Sequence, residues 1–498
     1  MPKRKRHIKR TRDKTVFIIK KHESILAGLR RQEADFSAVC DGSGRCGKCK
    51  VRLIEAPPVT DSEHKLLSPK EISEGIRLAC QQPLSSLARE VELVDGGAYK
   101  ILGLSESHFT AEIQQKGIGV AVDIGTTTVA MAYVSLEKGT VLYQQSFINP
   151  QQLYGADVLS RISAAAKTGI EPMSRLIRAA ICAHLTEFTE MAKQQIDLMA
   201  VCGNTTMVHL FMQEEVSGIG SYPFDYPIKE FKRMPAKSLE LSGDFPVVIL
   251  PPLSAYIGAD TLSGINYLRL GEKTGNYLFI DLGTNGEIVY AKDDRLFAAS
   301  AAAGPAFEGG NMKDGCGAVA GAVTGIKNDT IKTIAEQEPL GICGSGYISL
   351  IAHFLRKGLI NPSGYLASGT IRITEKLALY QEDIRNFQLA KAAVRCGIDL
   401  LLNSQKADSE ELTEVYLAGG FSAGIEIADF IELGIFPESI TEKVRLVGNA
   451  ALAGTVMFLL QDAKLKAKQI KQKTQVLDLT VQSDFLALFS EHMSLRRQ

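Results

Sequence analysis

The sequence predicts a multidomain α/β protein: a small β-rich module near the N-terminal end, then a larger body of two similar lobes. Three observations predict this. The first is a glycine-rich cysteine loop, Cys40-Asp-Gly-Ser-Gly-Arg-Cys46-Gly-Lys-Cys49, flanked by short apolar runs and followed by an isolated Cys80. The second is a figure that occurs twice: an apolar run, the tetrad Asp-x-Gly-Thr, and a second apolar run. It begins its turn at Asp123 and again at Asp281, 158 residues later. The third is a set of long helical patterns between and after the two copies. The clearest covers residues 171–197, where Leu176, Ile177, Ile181, Leu185 and Phe188 fall on one stripe.

The chain has 498 residues, room for three or four domains at about 150 residues each. Apolar residues make up 45% and charged residues 22%, and the net charge is zero. That is an ordinary soluble composition with nothing that draws the whole chain to nucleic acid. No apolar run reaches the ~18 residues a membrane span needs. The basic N-terminal residues lack the apolar segment of a signal peptide. A cytoplasmic protein is expected. Residues 1–13 read as a solvated, disordered basic tail, with a docking patch for an acidic partner as the alternative. Residues 14–97 form the module, 98–116 a linker, and 117–462 the body, its second lobe starting near 277. Residues 463–498 offer a short strand and an amphipathic helix that pack on the body.

Within the module, Val16-Phe-Ile-Ile reads as a strand, residues 24–31 as a short helix and residues 49–54 as a returning strand. Thiolates spaced C-x5-C-x2-C, with a fourth thirty residues on, can wrap a metal centre. The plant-type 2Fe-2S pattern is C-x4-C-x2-C followed by a distant cysteine. Gly42, Gly44 and Gly47 let the loop turn tightly, so that backbone N–H groups can point at cluster sulfurs. Zinc usually takes two paired C-x2-C elements, and Cys80 has no neighbour of that kind. Disulfides fit neither the odd total of nine cysteines nor a chain without secretory marks. Iron–sulfur chemistry is therefore favoured, with Cys40, Cys46, Cys49 and Cys80 as the ligands. The order of elements over 14–97 resembles a plant-type ferredoxin, which implies a β-grasp fold. The extra residue in the first gap is the variant of ferredoxin modules in larger redox proteins. The loop at 43–48 is expected to be exposed, with Arg45 and Lys48 turned to an acidic partner.

The repeated tetrad points to phosphate and metal. Gly125 and Gly283 let backbone N–H groups approach phosphate oxygens, and the hydroxyls of Thr126, Thr127 and Thr284 add donors. Asp123 and Asp281 are anionic, so they suit Mg2+ waters or an attacking water rather than phosphate itself. Glu287 is a further candidate for positioning that water; a surface carboxylate on the returning strand is the competing reading. In Ala302-Ala-Gly-Pro-Ala-Phe-Glu-Gly, the glycines 304, 309 and 310 permit close backbone approach, and Glu308 is placed to reach ribose hydroxyls. A capped helix start accounts for the same residues equally well. Gly344-Ser-Gly346 reads as a helix start, residues 390–403 as helix, and residues 449–460 as a closing helix. Cys202 and Cys343 are assigned no metal role.

This order resembles the actin-like ATPase superfamily of sugar kinases, actin and heat-shock chaperones over about 117–462. The resemblance implies a two-lobed, ribonuclease H-like fold that binds ATP with Mg2+. It makes Asp123, Gly125, Thr126, Thr127 and Thr128 the first phosphate loop, and Asp281, Gly283, Thr284, Asn285 and Glu287 the second. Gly304 and Glu308 stand beside the nucleotide, and Leu417-Ala-Gly419-Gly420-Phe is the adenosine loop. Leu153-Tyr-Gly-Ala-Asp-Val-Leu-Ser-Arg-Ile is similar to the connecting segment of ATPases that activate radical dehydratases. A 2Fe-2S module followed by this ATPase resembles, nearly end to end, the reductive activators of corrinoid-dependent proteins. Cys202-Gly-Asn-Thr-Thr-Met, Pro252-Leu-Ser-Ala-Tyr-Ile-Gly-Ala-Asp, Ile342-Cys-Gly-Ser-Gly and Asp484-Phe-Leu-Ala-Leu-Phe share in that likeness. It implies an ATP-hydrolysing electron-transfer activase that restores Co(I) from Co(II). The partners are then a corrinoid-binding protein of a methyltransferase system and an upstream low-potential electron donor, with no nucleic acid and no membrane, and with room for a homodimer. The rival readings are a nucleotide-dependent iron–sulfur redox sensor, an activator of another low-potential enzyme, and a sugar kinase.

Overall fold

The computed structural model describes residues 6–9, 16–19, 24–31, 49–53, 56–82, 91–93, 104, 107–419 and 425–497. The expectations for Cys40, Cys46, the exposed loop at 43–48 and Gly420 lie outside these residues.

The module is a five-stranded sheet in the spatial order Val16–Ile19, Arg6–Lys9, Val91–Leu93, Lys50–Leu53, Ile76–Leu78. A helix, Ile25–Arg31, buries Ile25, Leu26 and Leu29 in the module's core. Arg6–Lys9, expected within the disordered tail, is instead a strand. This segment pairs antiparallel with Val16–Ile19 and parallel with Val91–Leu93. A strand between two neighbours takes its stability from paired backbone groups, which a basic composition does not forbid.

The body holds two six-stranded sheets of matching design. The first runs Lys232–Pro235, Pro246–Ile249, Leu198–Gly203, Ile118–Ile124, Thr128–Ser135, Val141–Ile148. The second runs Val444–Gly448, Glu414–Ala418, Asn276–Leu282, Gly286–Lys292, Arg295–Ala301, Thr474–Val476. In each, the strand that ends at the tetrad lies centrally. It is antiparallel to its hairpin partner and parallel to the strand on its other side. Such strands are covered on both faces and so read as continuous apolar runs; Val120, Val122, Ile124, Leu278, Ile280 and Leu282 are fully buried.

Glu171–Ala192 packs its predicted stripe into the first lobe. Gln381–Ser404 does the same in the second. It begins nine residues before the predicted start at 390, because Asp383 reaches back to the Tyr380 N–H (3.1 Å) and caps the first turn. Two shorter helices, Ala259–Leu268 and Ala450–Leu459, cross where the lobes meet. A Cβ on Gly454 would stand 1.8 Å from the Ser263 carbonyl oxygen, so only glycine permits this approach. Thr455 Oγ1 donates to Ser263 Oγ (3.1 Å) and Asn266 Nδ2 to the Gly454 carbonyl (3.3 Å).

The expected linker is shorter than the sequence suggests. Phe109 is buried, and the N–H groups of Glu112 and Ile113 donate to the Leu460 carbonyl at 2.8 and 3.1 Å. Residues 107–116 thus belong to the body, anchored by one aromatic side chain in a polar stretch. The chain between Leu93 and Leu104 can span at most ~37 Å, at ~3.4 Å per residue. At the far end, Thr474–Val476 extends the second sheet, and Lys391 and Gln388 hold the carbonyls of Ser494 and Met493 at 2.7 and 2.5 Å. Among the described residues no helix is long and apolar enough to cross a membrane.

Candidate nucleotide cavity and cluster centre

A cavity of about 520 Å³ opens between the lobes. Both hairpins end on it. The first contributes Asp123, Gly125, Thr126, Thr127 and Thr128 to its wall; the second contributes Asp281, Gly283, Thr284, Asn285 and Glu287. Glu308 and Gly419 also line it. Gly304 does not. It sits at φ 71° before the 3-10 turn Pro305–Glu308 and serves the turn rather than the cavity wall. Gly344 and Ser345, read as a helix start, are both that and part of the wall. A Cβ on Gly344 would stand 1.6 Å from the Phe307 carbonyl, which is why the turn and the helix can meet.

Three helices aim their N-terminal ends at this space: Thr205–Met212, Gly344–Arg356 and Ala450–Leu459. Asn204 and Asn449 cap the first and third, accepting from Thr206 N–H (3.0 Å) and Leu452 N–H (2.8 Å). Unpaired N–H groups and the helix dipole make each such end favourable for an anion.

Carboxylates share the same wall. Asp123 accepts from Asn449 Nδ2 (3.2 Å) and, weakly, from the Cys202 thiol (3.6 Å). Burial still raises its pKa above the ordinary carboxylate value. Asp260, near the start of Ala259–Leu268, is pushed up to about 7 by burial and by the charge of Asp123. Asp281 is pushed up to about 8 by burial and then by Asp260, Asp123 and Glu308. Glu287 lies opposite Asp281 in the hairpin register, and burial with its acidic neighbours raises it well above its usual value. The surface reading of Glu287 is therefore overturned. Alternation along a strand identifies two faces but not which of them meets a cleft. Glu308 is raised by burial, opposed by the Thr284 hydroxyl at 2.7 Å and by Arg161.

Sequence reasoning missed Asp260, Asn204, Asn449 and Arg161. Arg161 is fully buried, and desolvation lowers its pKa to about 9. It donates to the Thr126 carbonyl (2.5 Å) and the Gly155 carbonyl (2.9 Å). Asn149 Nδ2 donates to the Gly125 carbonyl (2.8 Å), and Asn149 N–H and Gln152 Nε2 to the Thr127 carbonyl (3.0 and 3.1 Å). One segment, 149–161, thus holds three consecutive carbonyls of the first loop. Cys202 is also more than a bystander. Burial and Asp123 keep its thiol neutral, so it remains a donor.

In the module, Cys49 and Cys80 come together with their sulfurs 3.4 Å apart. A disulfide bond is near ~2.05 Å, so no disulfide joins these two, and their sulfurs are close enough to face one metal centre. Buried Glu63 holds the Cys80 turn from both sides, accepting from Leu78 N–H and Gln82 Nε2, each at 2.7 Å.

The fold and these two sites define a class: a ferredoxin-type module joined to a two-lobed body of the actin and sugar-kinase kind. Residues 9–85 match the family described as the 2Fe-2S iron–sulfur cluster binding domain, 118–273 the RACo middle region, and 275–498 the C-terminal domain of RACo, the ASKHA domain. The chain belongs to the RACo family. It is 31% identical over 382 residues to the corrinoid activation enzyme RamQ of Eubacterium limosum, covering 69% of this chain and 64% of that one. The aligned part thus spans less than two thirds of RamQ's length. It is 25% identical over 386 residues to the [Co(II) methylated amine-specific corrinoid protein] reductase of Methanosarcina barkeri, covering 70% of this chain and 71% of the reductase. Among solved structures it resembles a reductive activator for corrinoid, iron-sulfur protein, with a TM-score of 0.69, 24% identity and 98% of each chain covered. That likeness concerns the fold.

Proposed function

We propose that this chain is an ATP-dependent reductive activator, returning the Co(II) corrinoid of a partner protein to Co(I) by one electron. The observation that carries this is the joining, in one chain, of a cysteine module of the 2Fe-2S type to an interlobe cavity lined by two Asp-x-Gly-Thr loops and three helix N-terminal ends. The names of the curated relatives, a corrinoid activation enzyme and a Co(II) corrinoid protein reductase, point the same way.

The cavity suits its ligand on two grounds. Its helix ends favour an anion, and its crowded carboxyls, pushed toward their protonated forms, favour a cation. Among the described residues no three His, Cys, Asp or Glu side chains form a direct ligand set. In this reading Asp123, Asp260 and Asp281 hold Mg2+ through the waters it keeps. Backbone N–H groups at 125–128 and those of Thr284 and Asn285 would take phosphate oxygens, the Gly283 N–H being held by the Asn285 carbonyl at 2.9 Å. Glu287 orients the attacking water from beside Asp281. Thr284, its hydroxyl proton donated to Glu308 at 2.7 Å, would stand beside the terminal phosphate, and the adenosine loop expected at Gly419 and Gly420 would take the base. Cys40, Cys46, Cys49 and Cys80 hold the cluster, which when bound supplies a one-electron carrier. An upstream low-potential donor in the cytoplasm recharges it, and the active particle is a homodimer or a single chain.

Nucleotide is needed because a plant-type cluster sits near about −400 mV. A Co(II)/Co(I) couple ~200 mV lower costs ~5 kcal/mol per electron. ATP can offset this only through different affinities for two states of the complex, and closure of the lobes supplies two states. The test mixes reduced protein with a Co(II) corrinoid protein, with and without ATP, and follows the Co(I) spectrum. Co(I) is expected only with ATP. Equal Co(I) without ATP would reduce the chain to a simple electron donor. ATP turnover with no Co(I) would favour the redox-sensor reading.

A further inference from the structure

The segment 149–161 has a second face. Arg30, on the Ile25–Arg31 helix of the module, donates from Nε to the Leu153 carbonyl at 2.8 Å, and its guanidinium lies 5.1 Å from the centre of the Tyr154 ring. Both acceptors belong to the 3-10 turn Pro150–Tyr154. The first residue of that turn follows Asn149, and its third is Gln152; these two residues hold the Gly125 and Thr127 carbonyls. Leu153 and Tyr154 are buried in a core continuous with that of the module. At its other end the helix is tied to the cysteine turn: Ile25 N–H donates to the Gln82 carbonyl and Leu26 N–H to the Ala79 carbonyl, each at 3.0 Å. Cys80 lies between those two carbonyls in the chain.

We infer that Arg30 is a positioning residue for the nucleotide cavity, docking the cluster module onto segment 149–161 and thereby holding the first phosphate loop ready. With the carbonyls of residues 125–127 drawn back into the segment, the N–H groups that follow them are left to face the cavity. The docked module and the phosphate-ready loop are then one arrangement, and each favours the other. Coupling of this kind is reciprocal: whatever docking adds to nucleotide affinity, nucleotide adds to docking. The inference rests on the nucleotide reading for its functional consequence, but its structural content is separate.

The experiment uses the full chain in four forms: wild type, Arg30→Ala, Arg30→Lys and Tyr154→Leu. Visible absorbance first establishes that each variant keeps its cluster, which a mere loss of module folding would not. Hydrogen exchange without nucleotide then reads amides 125–128. Exchange is expected to quicken in Arg30→Ala and Tyr154→Leu, with Arg30→Lys intermediate because lysine keeps a donor but loses the planar stack. Calorimetry with Mg·ATP should show an affinity lower by about five-fold or more in the first two variants. Unchanged exchange at 125–128 in both Arg30→Ala and Tyr154→Leu overturns the inference. If wild type binds no ATP, the nucleotide reading fails, and the exchange comparison still decides whether docking orders the loop.

Discussion

The two Asp-x-Gly-Thr hairpins occupy matching places in matching sheets, yet they are held in different ways. In the first, the residue opposite Asp123 is Ala130; in the second, the residue opposite Asp281 is Glu287. Asp123 is steadied by Asn449 and Cys202, and none of these bonds has a counterpart at Asp281 among the described residues. The first loop is clamped from behind by Asn149, Gln152 and Arg161. The second is tied at its front, where Thr284 meets Glu308 inside the cavity. A repeated fold therefore carries unequal chemistry. The first hairpin is a preformed cradle, and the second crowds carboxyls that are relieved by taking up protons or by a bound cation.

The largest effect lies outside both hairpins and tests whether module and body are separable. Cys46→Ala and Cys80→Ala should abolish the visible absorbance and electron transfer while ATP binding persists. Full absorbance in both variants would remove the cluster assignment. Next comes the charged hairpin. Asp281→Ala should lower ATP turnover by about two orders of magnitude or more, the scale of lost electrostatic positioning, with the cluster spectrum unchanged. Unaltered turnover in both Asp123→Ala and Asp281→Ala would reject the cavity as the ATPase site.

A smaller effect follows from pH. The folded-state pKa of Asp281 is raised, to about 8, so its contribution to stability is fully present below the unfolded carboxylate value. It is lost as pH rises through about 8. Asp260, raised to about 7, adds to the same window. The ligand-free protein should thus melt at progressively lower temperature from pH 5 to pH 8.5, and Asp281→Asn should flatten that slope. Binding of Mg·ATP at pH 7 should release about one proton as the carboxyls ionise beside the cation. Titration calorimetry in buffers of different ionisation enthalpy measures this. Heats that do not vary with buffer would mean that the second hairpin is not the responsive one.

The hairpins were legible because their signal is local: an apolar strand, a glycine turn and a returning strand within about fifteen residues. The module's strand, helix and cysteine loop were legible for the same reason. What escaped is the part made by convergence. Asn204, Asp260 and Asn449 sit at helix starts far apart in sequence, and only the close crossing at Gly454 and Ser263 brings two of those helices together. Arg161 lies within a stretch singled out for its family likeness, yet nothing local distinguishes a buried arginine from a surface one on an amphipathic helix. The linker was overestimated because Phe109 is a single aromatic residue in polar surroundings, and one anchor suffices. Gly304 stays ambiguous in sequence because a glycine serves a left-handed turn as readily as a ligand.

The smallest expected effect tests the cradle itself. Cys202 Sγ stands 3.6 Å from Asp123 and is buried among both lobes' side chains, with the Ala451 carbonyl at 3.8 Å as a second acceptor. A thiol is a weak donor, and Asn449 still serves the other carboxylate oxygen. Cys202→Ala should therefore cost about 1 kcal/mol of stability, the scale of one lost buried hydrogen bond with little cavity. It should weaken ATP binding by only a few-fold. Cys202→Ser keeps a donor of similar size and should recover much of that loss. Asn449→Ala should cost more than Cys202→Ala, because it removes both a partner of Asp123 and the cap of Ala450–Leu459. Chemical denaturation and ATP titration of the three variants rank them. A Cys202→Ala loss of ATP turnover as large as that of Asp281→Ala would erase the distinction between a cradle and a responsive hairpin, since the weaker contact would then matter as much as the carboxyl.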